Sequence, residues 1–132
     1  GYFGASTGAA AALWAAADRP TMWRLSSHGV AVQVAVLGDS SITAPGLADG
    51  SLSWIGRLAD RLPWNVRLHS YARGGSRVND VLLRQAPTAV VDPPDLFVVS
   101  VGVNDALHGT PRWPFRRDLG SLIDVLSCAA RW

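Results

Sequence analysis

The sequence predicts an α/β domain: a parallel sheet with helices packed on its faces. Three observations carry this. Apolar runs of strand type occur at residues 31–37, 66–71 and 96–101. Each is followed by a stretch whose apolar residues recur at helical spacing, so the order is β-α-β-α-β-α. Each apolar run also gives way to a polar, glycine-bearing turn. At 132 residues the chain is long enough for one small domain.

The elements follow in order from the first apolar run. Residues 31–37 (Ala-Val-Gln-Val-Ala-Val-Leu) are rich in β-branched side chains and closed by Gly38. Pro45, Gly46, Asp49 and Gly50 mark 41–50 as a loop. Trp54, Ile55, Leu58, Ala59 and Leu62 define a helix over 53–62, capped by Ser51 or Ser53 and stopped by Pro63. Residues 66–71 form the second strand, broken by Gly74-Gly75. Val78, Val81, Leu82 and Ala86 give a second helical stripe that Pro87 is expected to end. The third strand, 96–101 (Leu-Phe-Val-Val-Ser-Val), is nearly all apolar, which predicts burial on both faces. Pro111 and Pro114 bound a loop, and Phe115, Leu119, Leu122, Ile123 and Leu126 form a third helix. Crossovers between parallel strands are expected to be right-handed.

Residues 1–29 differ from the rest and form an Ala-rich leader or linker; 30–132 is the domain. Residues 8–17 are alanine-rich around Leu13 and Trp14. They look like the apolar part of a signal peptide, but no basic residue precedes them. They are too short and weakly apolar to span a bilayer, so a short helix or loose leader is the preferred reading. Residues 22–29 read as a linker or loose helix. Gly1 is not a natural start, which points to a fragment or a processed piece.

The net charge is +2, and the basic residues are twelve arginines with no lysine; glutamate is also absent. The arginines are scattered rather than massed, so no nucleic-acid footprint is expected. Cys128 is alone, which rules out an intrachain disulfide and a paired metal-ligand spacing. No cluster implies a metal or organic cofactor. The compartment stays open, a cytoplasmic one marginally favoured over a secreted one, and so does the oligomeric state.

Three motifs close the strands: Gly38-Asp39-Ser40-Ser41, Ala72-Arg73-Gly74-Gly75-Ser76 and Gly102-Val103-Asn104-Asp105. In this order they resemble the GDSL or SGNH hydrolases, a family of serine esterases and lipases. The resemblance runs from about Val32 to Leu126. It implies a flavodoxin-like, doubly wound sheet of which this chain carries the first three strands. It also implies hydrolysis of carboxylic esters, small or lipid. Ser40 matches the nucleophile; Gly75 and Asn104 match oxyanion-hole positions, with the Ser40 backbone N–H as a third donor. Taken singly, these residues have plainer readings as turn or cap residues. Ser41 is the expected cap, and Asp39 and Asp105 are assigned to local hydrogen bonding.

Two departures from the family pattern stand out. Ser70 occupies a place where the family often has asparagine. The Asp-x-x-His block that supplies the base near the family's C-terminus has no counterpart after Asn104. Asp105-Ala106-Leu107-His108 matches the spacing but overlaps the third motif, so it is read as a decoy. His69, within the second strand, and His28, before the first, are read as structural. A serine without a base stays protonated and is a weak nucleophile, so the chain alone is expected to be nearly inactive. The alternatives are a non-catalytic domain of the same fold and a flavodoxin-like phosphate-binding module using the turn 38–41. Trp54, Trp64 and Trp113 are expected in the core rather than at a site. A remnant of three strands would expose an unpaired edge and self-associate.

Overall fold

The computed structural model describes residues 21–22, 32–48 and 52–130. The Ala-rich segment, His28 and Ser51 lie outside the described residues. A four-stranded sheet has the order β1-β3-β2-β4. Its strands are β1 (Thr21–Met22), β2 (Val32–Gly38), β3 (Val66–Ser70) and β4 (Leu96–Ser100). β2 pairs in parallel with β3 through Val32↔Val66 to Val36↔Ser70 and with β4 through Val34↔Leu96 to Gly38↔Ser100. The first strand of the domain is therefore central, flanked by the second and third, and the sheet changes winding direction there. Ligand crevices form outside strand ends at such a point.

Period-two alternation builds the three layers. Ala35 and Leu37 of β2 pack on one face with Val78, Val81 and Leu122. Val34 and Val36 pack on the other with Ile42, Ile55 and Ala59. The first face carries α3 (78–89) and α5 (Arg112–Ala129); the second carries α1 (Ser40–Thr43) and α2 (Trp54–Arg61). A short α4 (Val103–Leu107) follows β4. No helix among the described residues is long and apolar enough to cross a membrane.

Several local expectations change. Met22, assigned to a linker or loose helix, belongs to β1, which pairs antiparallel with the end of β3 at His69 and Ser70. Residues 41–43, expected as loop, lie in one helical turn over 40–43, which the buried Asp39 carboxylate caps by accepting the Ser41 N–H. Asp39, not Ser41, is the cap. Ser53 caps α2.

Pro87 does not end α3. The helix runs as Val78–Asp80, a wide turn at Val81–Gln85, then Ala86–Ala89. In the wide turn the Ala86 N–H reaches Val81 O, five residues back. That re-registers the carbonyl ladder just ahead of a residue with no N–H to give, and the helix continues. Pro114 similarly lies in the first turn of α5, where its missing donor would have had no partner.

β4 is not buried on both faces. It is an edge among the described residues, and Leu96 and Val99 are exposed. Trp54, Trp64 and Trp113 are exposed rather than in the core.

Candidate active site

The three motifs sit at the carboxyl ends of β2, β3 and β4, and a chain of hydrogen bonds ties them together. Gly38 has φ +151°, and a Cβ there would lie 2.0 Å from Ser100 O. Only glycine lets the end of β2 run that close to β4. The Asp39 N–H donates to Ser100 O at 3.1 Å, and the Arg73 N–H donates to Gly38 O at 2.9 Å. Ser41 Oγ lies 2.8 Å from Ser100 Oγ. Trp54 Nε1 donates to Ser41 O at 2.9 Å, so the exposed indole braces the same turn.

Gln85 locks this junction. Its Oε1 accepts the Gly38 N–H at 2.9 Å, and its Nε2 donates to Gly38 O at 2.9 Å and Ser76 Oγ at 3.1 Å. Gln85 is buried, and its role was missed in the sequence. The signal was available: a polar residue at 85 interrupts the apolar stripe of 78, 81, 82, 86 and 89. Buried amides are retained when their partners are met.

Ser40 opens α1 and is half-buried. Its backbone N–H and its hydroxyl make no hydrogen bond among the described residues, whereas the N–H groups of Gly38, Asp39 and Ser41 are all taken. Gly74 faces it: a Cβ on Gly74 would lie 3.9 Å from Ser40 Cβ and from Thr43 Oγ1. Gly75 has φ +79°, is exposed, and likewise donates its N–H to nothing described. Asn104 Nδ2 donates to Ser76 O at 3.1 Å, which leaves one amide hydrogen available. The structure thus joins Ser40, the 74–75 turn and Asn104 through Gly38, Gln85 and Ser76.

The Asp105–His108 spacing does not make an acid–base pair. Asp105 is buried, and its Oδ2 accepts the Val78 N–H at 2.9 Å, which anchors the start of α3. The His108 ring bonds Asn104 O at 2.9 Å through Nδ1 and is exposed. His69 is in β3 with Nε2 buried and unpartnered; desolvation, aided by the Arg67 charge and opposed by Asp92, holds its pKa below 6.5. Neither histidine bonds Ser40. A phosphate cradle at 38–41 fits poorly, since three of its four amides are already engaged. No group of three or more potential metal ligands occurs among the described residues.

This α/β architecture is that of the SGNH hydrolases. A solved structure of TesA superposes with a TM-score of 0.67 at 27% identity, covering 74% of this chain and 55% of TesA. AlinE4, described as an SGNH-hydrolase family esterase, gives 0.69 at 24%, covering 77% and 56%. The esterase EstA from Pseudoalteromonas sp., solved inhibited by monoethylphosphonate, gives 0.64 at 23%, covering 74% and 54%. The chain thus spans about half the length of these proteins. No curated protein sequence matches it. The sequence profile of the GDSL-like Lipase/Acylhydrolase family matches residues 36–131, and the chain belongs to that family.

Proposed function

We propose that this chain carries the nucleophile and oxyanion hole of a carboxylic ester hydrolase. Ser40 Oγ would attack the ester carbonyl. The oxyanion would be met by the N–H groups of Ser40 and Gly75 and by Asn104 Nδ2. Each such donor is worth roughly 3 kcal/mol in the transition state. The observation that carries this reading is selective: at a turn whose other amides are all engaged, the Ser40 amide is uncommitted, and so is the amide of Gly75, the residue after the Gly74 that faces Ser40.

The proton of Ser40 needs an acceptor, and no described histidine is bonded to it. The proposal places the base outside the described residues and expects the 132-residue chain by itself to hydrolyse esters poorly.

A fluorophosphonate probe applied to the longest natural form of the protein tests the role of Ser40. Labelling at Ser40 that disappears in Ser40→Ala is expected; an unlabelled Ser40 in a folded protein sinks the proposal. For the 132-residue chain, p-nitrophenyl acetate turnover should not exceed that of Ser40→Ala. A clear Ser40-dependent rate would show that a base is present after all.

A further inference from the structure

At the Gly75 turn begins a cavity of about 590 Å³ whose other lining residues take no part in the proposed oxyanion contacts. Gly75 forms one edge, and Arg77, Asn79, Thr110, Arg117 and Asp118 contribute to its walls, with Pro114 the one apolar side chain among its lining residues. Asp80 and Asp105 complete it.

This is more than a solvated charged surface. Asp105 is 4% exposed, and its Oδ1 has no hydrogen-bond partner. Thr110 Oγ1 is also buried and unpartnered. A buried oxygen left unmet is unfavourable, so two of them on one cavity favour a ligand that can donate to them. The wall is also partly fixed. Asp118 accepts from Arg117 Nε at 3.0 Å and from Asn79 Nδ2 at 3.2 Å. The Arg117 hydrogen bond holds its carboxyl below the usual carboxylate range, with burial opposing and Asn79 assisting.

The lining sorts the candidate ligands. Three carboxylates face two guanidiniums, so an anion gains little net attraction. An acyl chain would bury its methylenes against charged groups, where apolar ligands need an apolar wall. A hydroxyl both donates and accepts, and alternating carboxylates, guanidiniums, amide and hydroxyl suit several hydroxyls at once.

We infer that this cavity is a subsite for a polyhydroxylated group, a sugar ring or polyol, forming the alcohol side of the ester presented to Ser40. The ester part rests on the nucleophile reading; recognition of the hydroxyls does not.

The test compares 6-O-acetyl-D-glucose with cyclohexylmethyl acetate, which keeps the acyl group and ring but lacks the hydroxyls. Each is titrated into the nitrogen-15-labelled chain and followed by its amide resonances. The sugar ester should shift Gly75, Asn79 and Thr110, and the carbocycle should bind at least about tenfold more weakly, the scale of one to two net hydrogen bonds. Thr110→Val and, separately, Asn79→Leu should weaken the sugar ester severalfold without changing the carbocycle. Spectral dispersion reports whether each variant is folded, and the near-isosteric Thr110→Val guards against loss of the other. Equal affinities, shifts away from the cavity, or folded variants with unchanged affinity would overturn the subsite. Ser40→Ala should leave sugar binding intact. Binding without fluorophosphonate labelling would remove the nucleophile alone; labelling with no preference for the sugar would remove the subsite alone.

Discussion

β2 and β4 are neighbours with nearly the same kind of sequence, and the structure treats them differently. In β2, Val34, Ala35, Val36 and Leu37 are all buried, between α2 on one side and α3 and α5 on the other. In β4, Leu96 and Val99 are exposed, and the outer edge has no strand partner among the described residues. An apolar strand sequence states what the strand is suited to bury. What it does bury depends on which neighbours are present. The exposed side of β4 also opens onto an apolar groove of about 310 Å³ with Phe97, Ile123, Leu126 and Ala130 in its wall.

The contrast can be broken hardest where the two strands meet. Gly38→Ala would drive a Cβ to within 2.0 Å of the Ser100 carbonyl oxygen at a φ that L-residues avoid. Backbone cannot yield as a flexible side chain can, so a loss of more than about 4 kcal/mol is expected. Urea denaturation should show it; a variant with near-native stability would mean that the β2–β4 junction is looser than described. Gln85→Leu comes next. It strands the Gly38 N–H and the Ser76 hydroxyl in the interior, while Gly38 O keeps the Arg73 N–H, at a cost of about 3 kcal/mol.

Matched truncations sharpen the centre-versus-edge difference. Val36 is 0% exposed and Val99 38%. Val36→Ala should lose about 2 kcal/mol and Val99→Ala less than about 1. Equal losses would show that β4 is covered in solution, for instance by a second copy. The smallest effect belongs to β3, on the other side of β2. Burial holds the His69 pKa below 6.5, so the unfolded chain binds the proton more readily than the folded one. Stability is full above pH 6.5 and falls as the pH drops below it. Denaturation midpoints at successive pH values should show this slope, and His69→Gln should flatten it.

The sequence carried the layer pattern because period-two and period-3.6 spacings are local properties of the chain. It placed Ser40, Gly75 and Asn104 at strand ends for the same reason. What escaped it was either fine local geometry or a partner distant in the chain. Asp39 caps α1 through a local bond to the Ser41 N–H, while its own N–H is held by Ser100 O from another strand. The Pro87 stop failed because a wide turn upstream had already shifted the carbonyl ladder. Strand-like composition at 96–101 could not report that the far side of β4 is open. Gln85 stood visible as a polar break in an apolar stripe, but the Gly38 amide it serves is 47 residues away.

That separation bears on the order in which the molecule can be assembled. The turn presenting Ser40 is held by Gln85 and, through Asp39, by Ser100. Neither tether exists while only the first strand has been synthesised. Bringing such distant segments together requires loop closure before any of these bonds can form. During translation the serine turn therefore stays unset until the third strand of the domain has left the ribosome and docked. The geometry of this turn is a late product of folding, and a nascent chain stalled before residue 100 would hold the motif without its tethers.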